Sequence, residues 1–315
     1  MKKNYLAMLF IAAALVACTE TDDAGDDAGD DTGSENFTES TDSFTYYGET
    51  YKTVTLSNGS KWMAEPLRYV PEGFTPSDDA TDNDAHIWYP YEIDYAQLVA
   101  DEKVSSAPGI DYVTVLTDDA SIAAKGYLYD ITAAMGGVEI TDENFESFEG
   151  AQGICPEGWH IPTRADYFAL VGYSNKAVGE ESAPDDSTAI LYDSAYKGGT
   201  IPAFESAGLN YVYAGARFFG GYLSSTVPYY MRSMICSTNT TNEALYGNLS
   251  MSYYMTSTAY QASYSTAEAT LGQLSNIQFF GLMSTFTTTY PEGRLTLSYV
   301  AAGTGQSIRC VKDSE

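Results

Sequence analysis

The sequence predicts an α+β domain of short antiparallel strands, long loops and about two helices. Three observations predict it. Thr53-Val54-Thr55-Leu56 and Lys61-Trp62-Met63-Ala64 flank Ser57-Asn58-Gly59-Ser60, and an Asn-Gly pair between two strand-like runs is a strong hairpin signal. The stretch from Thr163 to Val171 carries a helix start: Pro162 blocks earlier helix, Thr163 can cap the first turn, and Asp166 stands at the capping-box spacing in place of the preferred Glu. The C-terminal half then breaks into short runs rich in Tyr, Ser, Thr, Gly and Met.

In chain order, the Asn58-Gly59 hairpin comes first. A short helix is expected from Ile122 to Met135, closed by Gly136-Gly137, and the helix behind Pro162 follows. Beyond it, Tyr211-Val212-Tyr213, Ala216-Arg217-Phe218-Phe219, the run from Leu249 to Met255 and the run from Ser307 to Val311 alternate at period two or are β-branched and aromatic, as strands are. No low-complexity linker recurs after Phe44, so residues 44–315 read as one domain of roughly 270 residues.

The N-terminus addresses the compartment. Lys2-Lys3 precedes an apolar run from Leu6 to Ala17, too short for the ~20 residues of a membrane span and followed at once by polar chain, so residues 1–17 read as a signal peptide. Leu15-Val16-Ala17-Cys18 resembles the bacterial lipobox, which implies that Cys18 is lipidated and becomes the first residue of a lipoprotein. Residues 18–43 follow as a tether: positions 19–43 hold ten carboxylates and no base, a composition that cannot collapse on itself. As a flexible coil it reaches about 25–30 Å. Acidic residues behind a lipidated Cys also resemble the surface-export signals of Bacteroidetes-type lipoproteins, implying an outer-membrane anchor with the domain displayed outward.

Charge narrows the partners. The chain has 315 residues and a net charge of −28, from 15 Lys and Arg against 43 Asp and Glu, which excludes a nucleic-acid binder because phosphate recognition needs a basic face. Residues 44–315 alone carry 33 acids against 13 bases, net −20. A field of that sign favours cations or neutral ligands such as glycans.

Three segments together resemble the Fibrobacter succinogenes major paralogous domain, a family of surface and secreted bacterial proteins. Trp62-Met63-Ala64-Glu65-Pro66-Leu67 matches its Trp-Met-Ala-Glu-Asn-Leu segment, with Pro66 in place of Asn. Cys155-Pro156-Glu157-Gly158-Trp159-His160-Ile161-Pro162-Thr163 matches its Cys-Pro-x-Gly-Trp-His-Leu-Pro-Thr segment, and Ile308-Arg309-Cys310-Val311-Lys312-Asp313 its closing strand. Gly126-Tyr127-Leu128-Tyr129 and Ile235-Cys236-Ser237-Thr238 are weaker matches. The resemblance implies a C-type lectin-like fold, in which paired strands bring the termini together and a long excursion carries ligands. The Ser/Thr/Tyr-rich stretch from Thr256 to Leu295 has no counterpart in the motifs.

Within that resemblance the cysteines acquire roles. An oxidising envelope lets Cys155 and Cys310 pair, closing a loop of about 155 residues worth roughly 5 kcal/mol in the chain-entropy model. Cys236 is left as a buried free thiol. The alternative is that all three stay reduced in the core.

Catalysis finds little support in the residues. His86 and His160 are the only imidazoles, and no nucleophile elbow, phosphate loop, CxxC or HExxH occurs. A carboxylate-pair hydrolase remains as an alternative, since two acids at the right separation suffice. No cofactor is expected; calcium has one weak candidate, Asp82 and Asp84 in the loop Asp78 to Asp84, which lacks the Gly and distal Glu of an EF-hand. The leading expectation is a non-catalytic adhesion or binding module for polysaccharide or another glycan, using aromatic rings to stack on sugar C–H faces. Candidate rings are Trp88, Tyr89 and Tyr91, the pair Tyr229 and Tyr230, and the pair Tyr253 and Tyr254, each also able to pack a β-rich core. The rival expectation is an envelope assembly component that recognises a surface protein.

Overall fold

A computed structural model of the chain describes residues 36–79, 82, 84–101, 113–177, 179–217, 252–261, 277–285 and 289–314. Cys18, Tyr229, Tyr230 and Cys236 lie outside the described residues. The strands are β1 (Phe37–Glu39), β2 (Ser43–Tyr46), β3 (Glu49–Thr55), β4 (Lys61–Met63), β5 (Ile87–Trp88), β6 (Tyr91–Ile93), β7 (Val113–Val115), β8 (Leu128–Tyr129), β9 (Trp159–His160), β10 (Tyr253–Gln261), β11 (Ile277–Thr285), β12 (Arg294–Ala301) and β13 (Val311–Lys312). The helices are α1 (Tyr95–Ala100), α2 (Asp119–Lys125), α3 (Ile131–Ala134), α4 (Arg164–Val171) and α5 (Ile201–Ser206). Mostly antiparallel sheets with few, short helices make this an α+β fold.

The largest sheet has the order β1-β2-β3-β4-β13-β9, so the last strand sits between β4 and β9. Its β3–β4 hairpin is the one expected around Asn58-Gly59, with Thr55 opposite Lys61. The sheet begins earlier than expected. Phe37 packs its ring on Phe44 at 5.6 Å, and Glu39 takes hydrogen bonds from Lys61 and Lys312, so the end of the stretch assigned to the tether, 18–43, is ordered chain. A second sheet, β10-β11-β12, takes β11 and most of β10 from the Ser/Thr/Tyr-rich stretch without a family motif, and its strands are the longest described, nine, nine and eight residues. Thr256, Ser257 and Ser284 can be buried there because their hydroxyls bond nearby carbonyls or a phenol, as Thr256 does with Phe280 O at 2.7 Å.

Four of the short helices begin on a side-chain cap: Asp118, Asp130, Thr163 and Thr200 each accept from a backbone N–H three residues on. The expected box at Thr163 and Asp166 is present in both directions. The helix expected over Ile122 to Met135 is instead two, α2 and α3, separated by β8. The break falls at Gly126, where φ is +69° and a Cβ would stand 2.6 Å from Leu67 O. Helix α5 was not signalled by periodicity; its sequence is only six residues long.

The segment Gly305 to Asp313 is a seam between two apolar cores. Ile308 and Cys310 point into one with Met63, Leu67, Trp159 and Ile161, while Val311 points into the other with Trp62, Tyr167, Leu170 and Phe280. Period two therefore sends neighbours Trp62 and Met63 to opposite cores. Arg309 is fully buried on the second side without a carboxylate partner among the described contacts. Its Nη1 donates to Ala64 O at 2.7 Å and Met63 O at 3.3 Å, its Nη2 to Asn210 O and to Tyr254 Oη, and the guanidinium lies 4.7 Å from the Tyr254 ring and 5.4 Å from Phe204.

Cys155 and Cys310 form a disulfide across 155 positions, with Cα atoms 5.8 Å apart, inside the first core. Breaking it releases a long loop from the unfolded chain and exposes no new surface in the folded one. Urea unfolding of the Cys155→Ser, Cys310→Ser double variant is expected to show a loss of about 2–5 kcal/mol; an unchanged midpoint would contradict the seam's dependence on the cross-link.

Candidate functional site

Strand β5 carries Trp88, which pairs with Leu128 of β8 and bridges to Ser77. Three residues on, Tyr91 opens β6, and its buried hydroxyl donates to Ala216 O at 2.6 Å and accepts from Ala216 N–H at 2.9 Å. That phenol, with Ser252 Oγ bonding Val212 O and Ala214 N–H, holds the irregular chain that leads to Arg217. Arg217 is fixed in turn by a reciprocal backbone pair with Gly305 of the seam, 2.9 and 2.7 Å. Its guanidinium then lies 4.2 Å from the Trp88 ring, within cation–π range.

Ser77, Trp88, Tyr89, Tyr91, Val115, Leu128 and Arg217 line a small cleft here, with about 10 Å3 of enclosed space. Trp88 and Tyr91, 2% and 1% exposed, are core residues packed with Leu128, Val212 and Ala214, and half-buried Tyr89 stands at the rim with its ring 5.5 Å from Tyr127. That space has room for about one water, so a ligand would rest on the surface at Tyr89 rather than enter. Burial pulls the Arg217 guanidinium down to about 10 against the opposing fields of Asp82, Asp130 and Asp79, which leaves it charged at neutral pH.

The acids beside the cleft have structural duties. Asp82 Oδ1 accepts from the N–H groups of Asp84 and Ala85 at 3.0 and 3.2 Å, Oδ2 accepts from Ser77 Oγ at 3.0 Å, and its carbonyl takes the Trp88 indole N–H. Asp82 thus organises its loop, and among the described residues no three His, Cys, Asp or Glu gather to hold a metal ion. Asp130, buried, caps α3 through Ala133 N–H and meets His86 Nδ1 at 2.7 Å. The hydrogen bond from Asp130 raises the His86 pKa, and burial raises that of Asp130 itself.

Of the rings singled out in the sequence, Trp88, Tyr89 and Tyr91 come together with the Asp82 loop at one place. Tyr253 and Tyr254 do not join them: at 3% and 0% exposed they are core residues, Tyr254 beside Phe204 and Arg309, and they present no face to a ligand. The sequence reading missed Arg217, Ser77 and His86, which carry no motif, and missed Tyr47, the most exposed ring described, 49%. The Tyr46-Tyr47-Gly48 run was a usable signal, because an aromatic directly before Gly in a hairpin is out of place.

His160 sits elsewhere, between two carboxylates. Its Nδ1 meets Asp313 Oδ1 at 2.6 Å and its Nε2 meets Asp166 Oδ2 at 3.3 Å, tying the C-terminus to the cap of α4. Burial works against the charged ring, but the bonds to Asp166 and Asp313 prevail and raise its pKa.

The scaffold defines the class: an α+β protein of antiparallel sheets locked at its last strand by a disulfide. The chain belongs to the Fibrobacter succinogenes major domain family, whose model matches residues 57–312. Comparison with curated proteins gives no match, and comparison with solved structures gives none.

Two measurements check this geometry. Folding raises the His160 pKa above its ordinary 6.5, so the clasp's contribution is complete below that value and is lost as pH rises through the folded-state value. His160→Gln should therefore be least stable relative to the native chain below pH 6.5, the gap in Tm narrowing as pH rises; a gap that widens would contradict the clasp. At Gly305 a Cβ would stand 2.9 Å from Trp88 and 3.1 Å from Arg217 Cβ. Gly305→Ala should lose about 1–3 kcal/mol in urea unfolding and change the near-ultraviolet signal of Trp88; full retention of both would refute the packing of seam against cleft.

Proposed function

We propose that the chain is a non-catalytic binding module of the bacterial cell surface, held to the outer membrane by lipid on Cys18 and recognising polysaccharide through the Trp88–Tyr89–Arg217 cleft on a C-type lectin-like scaffold. The cleft carries the reading. Tyr89 supplies an accessible ring and Ser77 a polar group beside it, with Trp88, Tyr91 and Arg217 packed beneath. Pairing of β13 with both β4 and β9 supports the lectin-like scaffold, since it brings the C-terminal strand beside the N-terminal hairpin.

Both imidazoles are engaged by carboxylates that also cap helices, Asp130 for α3 and Asp166 for α4. That employment favours binding over acid–base chemistry. The acidic body favours a neutral glycan over an anionic one.

A glycan array probed with the purified chain, with and without calcium, tests the reading. Binding to at least one neutral glycan class is expected, with Tyr89→Ala weakening it about tenfold, the ~1.4 kcal/mol of one lost stacking contact. Silence across the array would sink the proposal, and binding untouched by Tyr89→Ala would move the site elsewhere.

A further inference from the structure

The hairpin tip between β2 and β3 holds a tyrosine in a backbone conformation that tyrosine disfavours. Tyr46 and Glu49 close the pair, leaving Tyr47-Gly48 as a two-residue turn with φ of 48° and 82°. Such turns prefer Asn before Gly, and a left-handed non-glycine residue costs ~1–2 kcal/mol. Retained strain of this kind gathers at functional positions.

The Tyr47 ring is presented outward and braced. It lies flat on half-buried Tyr69, with centroids 4.2 Å apart and planes at 19°, and Tyr46 meets it edge-on at 4.7 Å. From there the rings continue toward the cleft. Tyr129, buried beneath, donates its hydroxyl to Tyr69 O at 2.9 Å and holds Tyr127 edge-on at 6.4 Å; Tyr127 in turn meets Tyr89 at 5.5 Å. Tyr69, Tyr127 and Tyr89 are all half-buried and Tyr47 is exposed, so each keeps accessible ring area.

We propose that Tyr47, Tyr69, Tyr127 and Tyr89 form one track for an extended, uncharged polysaccharide chain, with the cleft at one end and the hairpin tip as an outlying subsite at the other. The proposal rests on the glycan-binding reading and adds ligand length and charge. The neighbours of the rings decide the charge: Glu72 acts on Tyr69, and Glu49 and Asp119 act on Tyr127. Carboxylates flanking the track accept hydrogen bonds from sugar hydroxyls and repel an acidic polymer. A single sugar reaching the cleft alone has no use for Tyr47, whereas a chain of several sugars does.

Calorimetric titration of the purified full-length chain tests this with xyloglucan, galactomannan, laminarin and amylose, the disaccharide of each, and polygalacturonate as the charged polymer. The native chain should bind a neutral polymer at least tenfold more tightly than its disaccharide. Tyr47→Ala and Tyr47→Asn should each lose that gain while keeping disaccharide affinity, and Tyr47→Asn should raise Tm because Asn relieves the turn. Unchanged polymer affinity in both variants, or preference for polygalacturonate, overturns the track while leaving the cleft reading in place. A native chain that binds none of the polymers overturns both, and a lowered Tm in Tyr47→Asn assigns Tyr47 to packing and removes the strain argument.

Discussion

Both cores close on one short piece of chain, Gly305 to Asp313. Its backbone bonds reach Arg217 from Gly305, Tyr129 from Gln306, Tyr253 and Met255 from Ser307, Leu67 from Ile308 and Met63 from Cys310. Its alternate side chains feed opposite interiors, and Arg309 is buried on carbonyls and ring faces with no carboxylate among its described contacts. Taking a guanidinium out of water costs several kcal/mol. Carbonyl acceptors from Met63, Ala64 and Asn210 offset this only when β4 and the loop before Arg217 are already in place, so Arg309 favours the complete assembly over partial ones. The disulfide at the next residue holds the same segment from the other face.

The candidate site inherits its rigidity from that seam. Gly305 lies against the Trp88 ring and the Arg217 stem, and Tyr129, bonded to Gln306, stands under the tyrosines that lead from the cleft to the hairpin tip. Aromatic groups outside the core are therefore held by aromatic groups inside it. Fixed rings lose little entropy on meeting a ligand, which suits a binding surface better than mobile ones would.

Legibility in the sequence followed how local each cause is. The Asn58-Gly59 turn and the Thr163–Asp166 box depend on residues within a few positions, and both stood out. The Cys155–Cys310 bond is remote, and it was legible only through the family resemblance of the two segments that hold it. Strand β11 and the later part of β10 were obscured because buried Ser and Thr read as loop composition until their hydroxyls are seen to be bonded, whereas the alternation up to Met255 already marked the start of β10. The tyrosines were ambiguous for a deeper reason: period two says which face a ring takes but not what covers that face, so Tyr254 and Tyr89 look alike in sequence and differ wholly in burial. Arg217 gave no signal, since its meaning lies in a ring from a strand more than a hundred residues earlier.

Native-state hydrogen exchange measures the seam most directly. If both cores depend on it, the amides of Met63, Leu67, Tyr129 and Met255 in the first core and of Leu191, Leu295 and Leu297 in the second exchange only with global unfolding, share one free energy and fall together when the disulfide is reduced. Contradiction would come from two separate values, with Met63 and Leu67 still protected while Leu295 and Leu297 open locally, which would mean that the two cores stand independently of the segment between them.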